Sequence, residues 1–518
     1  MSAEPARERR RRPSALVLGP VLAALVLVTP GLPLDGPQRA VLATTVLTAV
    51  WWLAEAVPIG AASLVPAALL PLLGVMPASR AAAAYVNDLI LLFLGAFLLA
   101  LGMERWNLHR RLALAVVSAV GPRPRSIVLG FMLAAAFLSM WLNNTATTLM
   151  MLPIGVAVVA AVGDRQAAAG GAQTTPFGIA LLLGIAYSSS VGGVVTPVGT
   201  APNQVFLGQF QDAFPGAPQI PFATWVIAFL PVLLLYLPVG WWLLTRVLLK
   251  VESTSNAGGD VIRAQRRALG PWSSAEVRVG SVFLAAVVLW LSRSDLDLGF
   301  VSVPGWGALF APAGTEPAAA AEWVSNATIA LFLGVLLFVV PSGLARGERL
   351  MDWETANRMP WEVLLLLGGG FAIAAGFRAS GLDAALGQLI APGLEGLPGW
   401  AAVLLVVVAV ATLTEVTSNT ATTQVLLPVL ASAAVAAGLD PRSTMLPATL
   451  AASCAFMLPV ATPPNAVVFA SKLVSMGAMA RIGVWFNVLL IAIVTLVFEF
   501  WSKGVLGIDG VLPDWARP

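Results

Sequence analysis

The sequence predicts an all-α polytopic membrane protein, with about eleven transmembrane helices and two re-entrant hairpins in an inverted repeat. Composition is the first reason: of 518 residues, 58% are hydrophobic and only 11% are charged, and the mean hydropathy is +0.87. Many apolar runs reach the roughly 20 residues that a helix needs to span a bilayer. These runs are continuous and do not alternate, which excludes a transmembrane β-barrel. The second reason is a polar motif that occurs twice.

This motif reads Asn-Asn-Thr-Ala-Thr-Thr at 143–148 and Ser-Asn-Thr-Ala-Thr-Thr at 418–423. The copies lie near the middle of two apolar stretches, about 126–162 and 400–437, whose arms are shorter than a full span. An unpaired amide or hydroxyl in hydrocarbon costs several kcal/mol, so such clusters persist where backbone, water, ions or a ligand satisfy them. Each stretch is therefore predicted to be a helical hairpin with a polar tip.

The other apolar runs predict eleven spans in chain order. They lie at about 14–30, 38–56, 58–75, 88–104, 177–191, 222–246, 279–292, 326–341, 361–377, 444–458 and 482–501.

Charge distribution predicts the orientation of the spans. With the N-terminus in the cytoplasm and each hairpin returning to its own side, most of the 29 lysine and arginine residues face the cytoplasm. The positive-inside rule expects this asymmetry. The basic residues Arg7 and Arg9–Arg12 then form a cytoplasmic anchor and not a nucleic-acid-binding arm. The odd number of spans places the C-terminus outside, and the two hairpins enter the membrane from opposite sides.

The repeat extends beyond the tips. Leu-Gly-Ala-Phe at 94–97 aligns with Gly-Gly-Gly-Phe at 368–371, and interrupted helices follow the hairpins at 196–203 and 458–465. Gly and Pro stop a helix, which frees carbonyl groups and exposes the N-terminus of a half-helix. Paired interruptions in corresponding halves are typical of a transporter's binding site near the bilayer midplane.

Three other segments carry charge. The segments 103–121 and 378–391 mix charged and apolar residues and predict amphipathic helices at opposite membrane surfaces. The segment 250–275 is the longest polar stretch; it is either a cytoplasmic loop or surface helix, or a flexible linker.

The tips and the breaks offer two kinds of binding chemistry. Asn144, Thr145, Asn419 and Thr420, together with half-helix N-termini, can bind carboxylate or sulfate oxygens. Carbonyl and side-chain oxygens at a broken helix suit Na⁺. No Arg or Lys lies in these segments. A dianion bound there needs its charge offset, and cations bound beside it are the simple way.

Few residues could carry other chemistry. Glu415 is the only acidic residue in a hairpin, and it either couples transport to protons or cations or braces the tip by hydrogen bonds. The single cysteine, Cys454, excludes an internal disulfide and a thiolate metal site. The single histidine, His109, is read as an interfacial residue. An intramembrane enzyme is therefore disfavoured, a P-loop for ATP is missing from the sequence, and paired broken helices disfavour a channel.

These motifs resemble those of the divalent anion/sodium symporters, the INDY-like di- and tricarboxylate transporters. The paired tips are similar to that family's Ser-Asn-Thr motifs, and 452–468, from Ala452 to Val468, is similar to its signature. One departure is Asn143, where the family usually has Ser. The resemblance implies a homodimer in the cell membrane, in which a scaffold domain holds the dimer and a transport domain moves as an elevator.

The resemblance also implies two Na⁺ sites beside the substrate and no organic cofactor. The first Na⁺ site would use Ser139, Asn143, Asn144 and Gly199, and the second Thr414, Thr417, Asn419 and Ala461. The substrate carboxylates would contact Asn144, Thr145 and Thr200 on one side and Ser418, Asn419, Thr420 and Pro463 on the other.

The implied domain organisation divides the chain as follows. It comprises a cytoplasmic tail (1–13), scaffold helices with a surface helix (14–123), the first transport repeat (124–247), a cytoplasmic loop with scaffold helices (248–397), the second transport repeat (398–502) and an extracytoplasmic tail (503–518).

The function expected on these grounds is import of C4-dicarboxylates such as succinate, malate or fumarate, coupled to Na⁺. The alternatives are a Na⁺-independent dicarboxylate exchanger and a sulfate transporter, both of the same fold.

Overall fold

A computed structural model describes residues 13–162, 175–251, 257–297, 302–312, 314–315 and 323–517. The predicted anchor Arg7 and Arg9–Arg12 lies outside the described residues. The described chain is helical, apart from two strands of two residues each in a loop, which pair antiparallel with Leu296 opposite Val303. The predicted helical class is correct, and this short hairpin, which was not predicted, is a local exception.

The first half begins with short helices and continues through one copy of the repeat. The opening helices are α1 (Pro13–Val28), α2 (Gly36–Ala54), α3 (Ile59–Ser63), α4 (Val65–Leu72) and α5 (Ala78–Ala83). The first repeat consists of α6 (Asp88–Arg105), α7 (Leu108–Val120), α8 (Pro124–Ser139), α9 (Asn144–Val162), α10 (Pro176–Gly192), α11 (Ala201–Ala213) and α12 (Phe222–Trp242), which continues as a π-helical segment (Leu243–Leu248).

A connecting region then leads to the second repeat. It contains α13 (Ala257–Ala268), α14 (Ser274–Ser292), β1 (Leu296–Asp297), β2 (Ser302–Val303), α15 (Asn326–Val339) and α16 (Trp353–Ala356). The second repeat consists of α17 (Trp361–Ser380), α18 (Leu382–Ile390), α19 (Gly399–Thr414), α20 (Asn419–Ala436), α21 (Arg442–Ala452), α22 (Pro463–Ala470) and α23 (Met476–Val497), followed by a π-helical segment (Phe498–Ser502) and α24 (Lys503–Leu506).

Seven helical stretches of the described chain are long and apolar enough to cross a membrane. They are Ala78–Arg105, Asn144–Ala161, Pro176–Val195, Phe222–Leu248, Ser274–Ser292, Trp361–Ser380 and Met476–Leu506. Five shorter apolar helices, including α1, α8, α15 and α19, accompany them. The protein is therefore a multi-pass membrane protein, and the number of eleven spans stays a prediction.

Several predicted boundaries differ from the structure for identifiable reasons. The run 58–75 is divided into α3 and α4, because Pro66 has no N–H to continue a helix and instead lies in the first turn of the next one. Helices α14 and α23 begin earlier than predicted, since the side chains of Ser273 and Ser475 cap their N-termini. The span predicted at 444–458 ends as a helix at Ala452. The polar segment 250–275 contains α13, so the flexible-linker reading is wrong for 257–268.

The two repeats are joined by crosswise packing around the buried helix α10, all of whose residues from Phe177 to Gly192 except Ile179 are buried. The half-helix α11 of the first repeat packs against the hairpin arm α20 of the second. Conversely, the half-helix α22 packs against the hairpin arm α9 of the first repeat. One hydrogen bond across the first of these contacts joins Gln209 Nε2 to the carbonyl oxygen of Gln424 at 3.0 Å. Both tips and both breaks therefore belong to one packed unit.

Candidate functional site

The first hairpin tip connects α8 to α9 and is closed by its own polar side chains. Ser139 Oγ donates to Asn144 Oδ1 at 2.6 Å. The neighbouring Asn143 Oδ1 accepts from the backbone N–H of Thr145 at 2.7 Å. The first N–H groups of a helix have no partner within the helix, so Asn143 acts as a cap for α9. The Asn143 side chain, which is larger than the family's Ser, thus accepts a hydrogen bond from the backbone of the tip.

The second tip, between α19 and α20, repeats the hydroxyl–amide contact. Thr414 Oγ1 lies 2.7 Å from Asn419 Oδ1 and 3.1 Å from the carbonyl oxygen of Ala452. Thr417 Oγ1 is 2.7 Å from the carbonyl oxygen of Leu413 and 2.6 Å from Thr422 Oγ1, so its hydroxyl belongs to the tip's own network. A hydroxyl, an amide oxygen and a helix-end carbonyl therefore meet at this tip.

The two helix breaks are held by equivalent asparagines. Thr200 and Thr462, the residues before α11 and α22, have nearly the same extended conformation, with φ of −144° and −137° and ψ of 148° in both. Asn203 Nδ2 donates to the carbonyl oxygens of Gly193 at 3.1 Å and Thr196 at 2.8 Å. Sequence reasoning did not assign a role to Asn203 or to its counterpart.

That counterpart is Asn465, whose Nδ2 lies 3.1 Å from the carbonyl oxygens of both Ala455 and Leu458. The signal was present in the sequence, since Asn203 and Asn465 occupy the last position of Thr-Ala-Pro-Asn and Thr-Pro-Pro-Asn. Each asparagine bridges the two sides of its own break, and so fixes the direction in which the freed carbonyls point.

Four oxygen atoms converge at the first tip. The Asn144 side-chain oxygen faces Ser139 Oγ, the carbonyl oxygen of Ser189 at 3.2 Å and that of Gly199 at 3.3 Å. Only the Ser139 hydroxyl can donate among them. Two arrangements satisfy the cluster: the amide turned so that the two hydrogens of its NH₂ group are shared among the three neighbouring oxygens, or a cation shared by four oxygens.

Glycines make this convergence possible. A Cβ atom at Gly193 would lie 2.4 Å from Asn144 Oδ1, and one at Gly199 would lie 2.4 Å from the carbonyl oxygen of Gly193. Both distances are far inside van der Waals contact. The break of the first repeat can therefore approach the tip only because these two residues have no side chain.

The hydroxyls predicted to meet substrate differ from those of the tips' internal networks. Thr462 Oγ1 accepts from the N–H of Asn465 at 3.3 Å, whereas the Thr200 side chain makes no such cap. Within the described ranges, the hydroxyls of Thr145, Thr200, Ser418 and Thr420 form no side-chain hydrogen bond. Ser418 and Pro463 are also exposed. These hydroxyls are available to a ligand.

Glu415 is buried, with 5% of its surface exposed, and its carboxylate is fully engaged. Oε1 accepts from the N–H of Phe456 at 2.8 Å, and the two oxygens together accept from the N–H groups of Met457 and Leu458 at 3.1–3.2 Å. Asn487 Nδ2 donates to Oε1 at 2.6 Å. The carboxylate thus binds three consecutive N–H groups of the second break, which is the geometry of the bracing interpretation.

The donor set favours a hard cation over a transition metal. Among the described residues there is no group of three or more His, Cys, Asp or Glu that could hold a metal ion. The oxygens at the tips come from hydroxyl, amide and carbonyl groups, which are ligands for ions such as Na⁺ and not for soft or borderline metals. His109 is buried, and its Nδ1 lies 3.2 Å from the carbonyl oxygen of Met103.

Comparison with known proteins identifies the family. Residues 14–508 match the family described as "Sodium:sulfate symporter transmembrane region". The chain belongs to this symporter family. The predicted relationship to the divalent anion/sodium symporters, and the prediction of a transporter in place of an enzyme, are thereby confirmed.

Curated relatives of this symporter-family chain include sodium-dependent dicarboxylate transporters named SdcS. The chain is 40% identical over 507 residues to the one from Staphylococcus saprophyticus, covering 96% of this chain and 93% of the relative. It is 39% identical over 503 residues to the one from Staphylococcus aureus strain RF122, covering 95% and 92%.

Two solved structures share the fold at low sequence identity. MtrF of Neisseria gonorrhoeae has a TM-score of 0.56 at 13% identity and covers 94% of this chain and 93% of its own. The YdaH transporter of Alcanivorax borkumensis has a TM-score of 0.54 at 15% identity and covers 94% and 96%. At these identities the likeness concerns the fold alone.

Proposed function

We propose that this protein imports C4-dicarboxylates together with Na⁺ across the cell membrane. The observation that supports it most is the pair of polar tips, each closed by a hydroxyl–amide contact and each beside a broken helix, in a chain 40% identical to a protein named as a sodium-dependent dicarboxylate transporter. Uncharged oxygens at the tips suit Na⁺, and free hydroxyls beside them suit carboxylates.

In this proposal the first Na⁺ binds where four oxygens converge. Ser139, Asn144 and Gly199 supply three of them, and the Ser189 carbonyl, which the sequence did not suggest, is the fourth. Asn143 contributes by capping the tip. A cation there offsets the repulsion between Asn144 Oδ1 and the carbonyl oxygens of Ser189 and Gly199, which have no hydrogen atom between them.

The second Na⁺ would bind at the other tip. Thr414 and Asn419 face the Ala452 carbonyl there, with Thr417 and Ala461 close in sequence to the tip and the break. The dicarboxylate would then be held between the tips by the free hydroxyls of Thr145, Thr200, Ser418 and Thr420, by the exposed Pro463 and by the amide groups of Asn144 and Asn419. Two bound cations offset its two negative charges where no Arg or Lys is present.

Elevator movement of a transport domain (124–247 and 398–502) against a scaffold is part of this proposal. An asymmetry between the repeats supports it. The second hairpin is bonded to the scaffold, since Gln424 Nε2 donates to the carbonyl oxygen of Leu366 at 2.7 Å. In the first hairpin, the arm α8 packs against α7, but a cavity of about 230 Å³ lined by His109, Met150 and Ile154 lies between α7 and the arm α9. A movement that frees the second hairpin from the scaffold and closes the cavity beside the first would open the site to each side of the membrane in turn.

An ion pair between the two bodies provides the test of this movement. Arg378 on α17 lies 3.3 Å from the Asp212 carboxylate on α11, and their side chains are 21% and 51% exposed. We expect that Arg378→Cys/Asp212→Cys, joined by a short bifunctional thiol reagent, loses uptake and regains it on reduction. Each single variant treated alike is the control. Undiminished uptake by the joined protein would show that the bodies do not move past each other.

The central experiment is succinate uptake into proteoliposomes with an inward gradient of Na⁺ against K⁺. Uptake that requires Na⁺ supports the proposal. Uptake only into vesicles preloaded with dicarboxylate, whatever the cation, would replace it with an exchanger. Sulfate uptake without succinate uptake would replace it with a sulfate transporter, the second candidate, which the family description favours.

Assembly and orientation complete the proposal. We expect a homodimer with a cytoplasmic N-terminus and an extracytoplasmic C-terminus, as the family resemblance and the charge distribution imply. Mass photometry of the detergent-purified protein would test the first, since a monomer contradicts it. Protease protection of tags at the two termini in oriented vesicles would test the second.

A further inference from the structure

Helix α13 (257–268) lies outside the proposed transport site and is fixed to the surface of the molecule by two arginines of α7. Arg110 donates to Gln265 Oε1, and Arg111 donates to the carbonyl oxygens of Leu269, Gly270 and Pro271 at 3.0–3.1 Å. Arg111 also forms an ion pair of 2.7 Å with Glu276. These bonds hold the helix in a defined position between the ends of two long apolar helices, α12 and α14.

The surroundings of α13 are those of a membrane interface. Trp272, which follows the helix, is 56% exposed, and the Arg111 guanidinium lies 4.9 Å from the centre of its ring. Exposed tryptophans at the ends of membrane helices are characteristic of the headgroup region. The helix also packs against the hairpin arm α9, so it connects the membrane surface to the first hairpin.

A cavity of about 480 Å³ opens between α13 and the end of α7. The wall at the end of α7 is apolar, formed by Val117, Gly121 and Pro122, and the wall on α13 carries Ile262 together with Arg263, Arg266 and Arg267. Gly259 lets the two walls meet, because a Cβ atom there would lie 2.6 Å from Pro122.

Among the described residues, the positive charge of this cavity is only partly balanced. Arg263 is paired with Asp260 at 2.6 Å. Arg266 and Arg267 are exposed and form no ion pair within the part of the chain that the structure describes. Two unpaired guanidinium groups beside an apolar wall at headgroup depth match a phosphodiester attached to acyl chains.

We propose that this cavity binds the headgroup of an anionic phospholipid, with its phosphate on Arg266 and Arg267 and its glycerol and upper acyl region on Val117, Pro122 and Ile262. The apolar wall and the interfacial position favour a lipid over a free phosphate ion. Because α13 contacts α9, the bound lipid restrains the first hairpin from the membrane side.

The test measures binding of phosphatidylglycerol to the purified full-length protein by native mass spectrometry, with phosphatidylcholine as the neutral reference. Each arginine near a headgroup contributes roughly a fivefold effect on affinity. We therefore expect Arg266→Gln/Arg267→Gln to bind phosphatidylglycerol roughly 30-fold more weakly. The matched control, Arg346→Gln/Arg358→Gln, removes two exposed cations elsewhere and should bind like the wild type.

A second variant separates a built cavity from diffuse attraction. Ser118→Trp fills the cavity and leaves all arginines in place, and it should also lose phosphatidylglycerol binding. It also keeps the proposal testable if the double arginine variant fails to fold. Equal binding by wild type and both variants would overturn the proposal. If inorganic phosphate bound as tightly as the lipid and displaced it at millimolar concentration, the assignment of the cavity to a lipid would be overturned. Neither result depends on transport, so this test is separate from that of the proposed function.

Discussion

Replacing Glu415 with glutamine tests whether this carboxylate braces the second helix break. The carboxylate accepts from Phe456, Met457 and Leu458 N–H groups and from Asn487 Nδ2. Glutamine keeps one oxygen but presents an NH₂ group to two of the N–H donors. Hydrogen bonds to a charged group contribute about 1.5–3 kcal/mol each, and a buried donor without an acceptor costs about 1–3 kcal/mol.

The expected loss of stability follows from these contacts. Losing two charge-assisted hydrogen bonds would cost about 3–6 kcal/mol. Part of this loss is offset, because neutral glutamine does not have the desolvation cost of a buried carboxylate. We expect Glu415→Gln to lower the free energy of unfolding by about 2–3 kcal/mol. The apparent Tm in detergent should then fall by about 2–3 °C. Because the break carries the proposed second Na⁺ site, the Na⁺ concentration for half-maximal uptake should rise.

The assay is thermal unfolding of the purified variant together with Na⁺ titration of succinate uptake. Glu354→Gln, at a carboxylate with 87% exposure, is the control and should change the Tm little. A variant with wild-type Tm and wild-type Na⁺ dependence, but with uptake that no longer responds to a pH gradient, would refute the bracing role. That result would indicate a proton-coupling role for Glu415.

Five further substitutions, grouped in three predictions, probe the site. Asn144→Ala or Asn419→Ala should reduce Na⁺-dependent uptake to background with little loss of folded protein, since each removes the tip's central oxygen; wild-type uptake in either would contradict the site. Thr200→Val should raise the KM for succinate roughly tenfold without changing the Tm. Thr462→Val should instead lower the free energy of unfolding by about 1 kcal/mol with less effect on KM, because only Thr462 caps its half-helix. Equal effects of the two substitutions would argue against separate roles. Gly193→Ala should raise the Na⁺ requirement or abolish uptake, because its Cβ would collide with Asn144 Oδ1, and an unchanged Na⁺ titration would show that the tip and the break need not be so close.

The sequence predicted the features that local chemistry determines. A polar motif in an apolar run predicted that α8 and α9, and α19 and α20, would be separated by tips at 140–143 and 415–418. Gly and Pro predicted the breaks before Ala201 and Pro463. In each case the signal and the structure lie within a few residues of each other.

Features that depend on distant parts of the chain were not predictable. Glu415 reaches N–H groups more than 40 residues away, and nothing near it in sequence indicates them. The Ser189 carbonyl joins the oxygens at the first tip only through tertiary packing. Helix α13 was left open among a loop, a surface helix and a linker, because its position is fixed by Arg110 and Arg111 of another helix.

Crosswise packing of the half-helices also affects how the chain is made. Gln209 bonds to Gln424, 215 residues later in the chain. During synthesis, α11 leaves the ribosome long before its partner α20, so Gln209 has no access to its partner until the second half is made. Neither half could complete this packing alone. A half-length ancestor would have completed it only as a pair of copies, each lending its half-helix to the other.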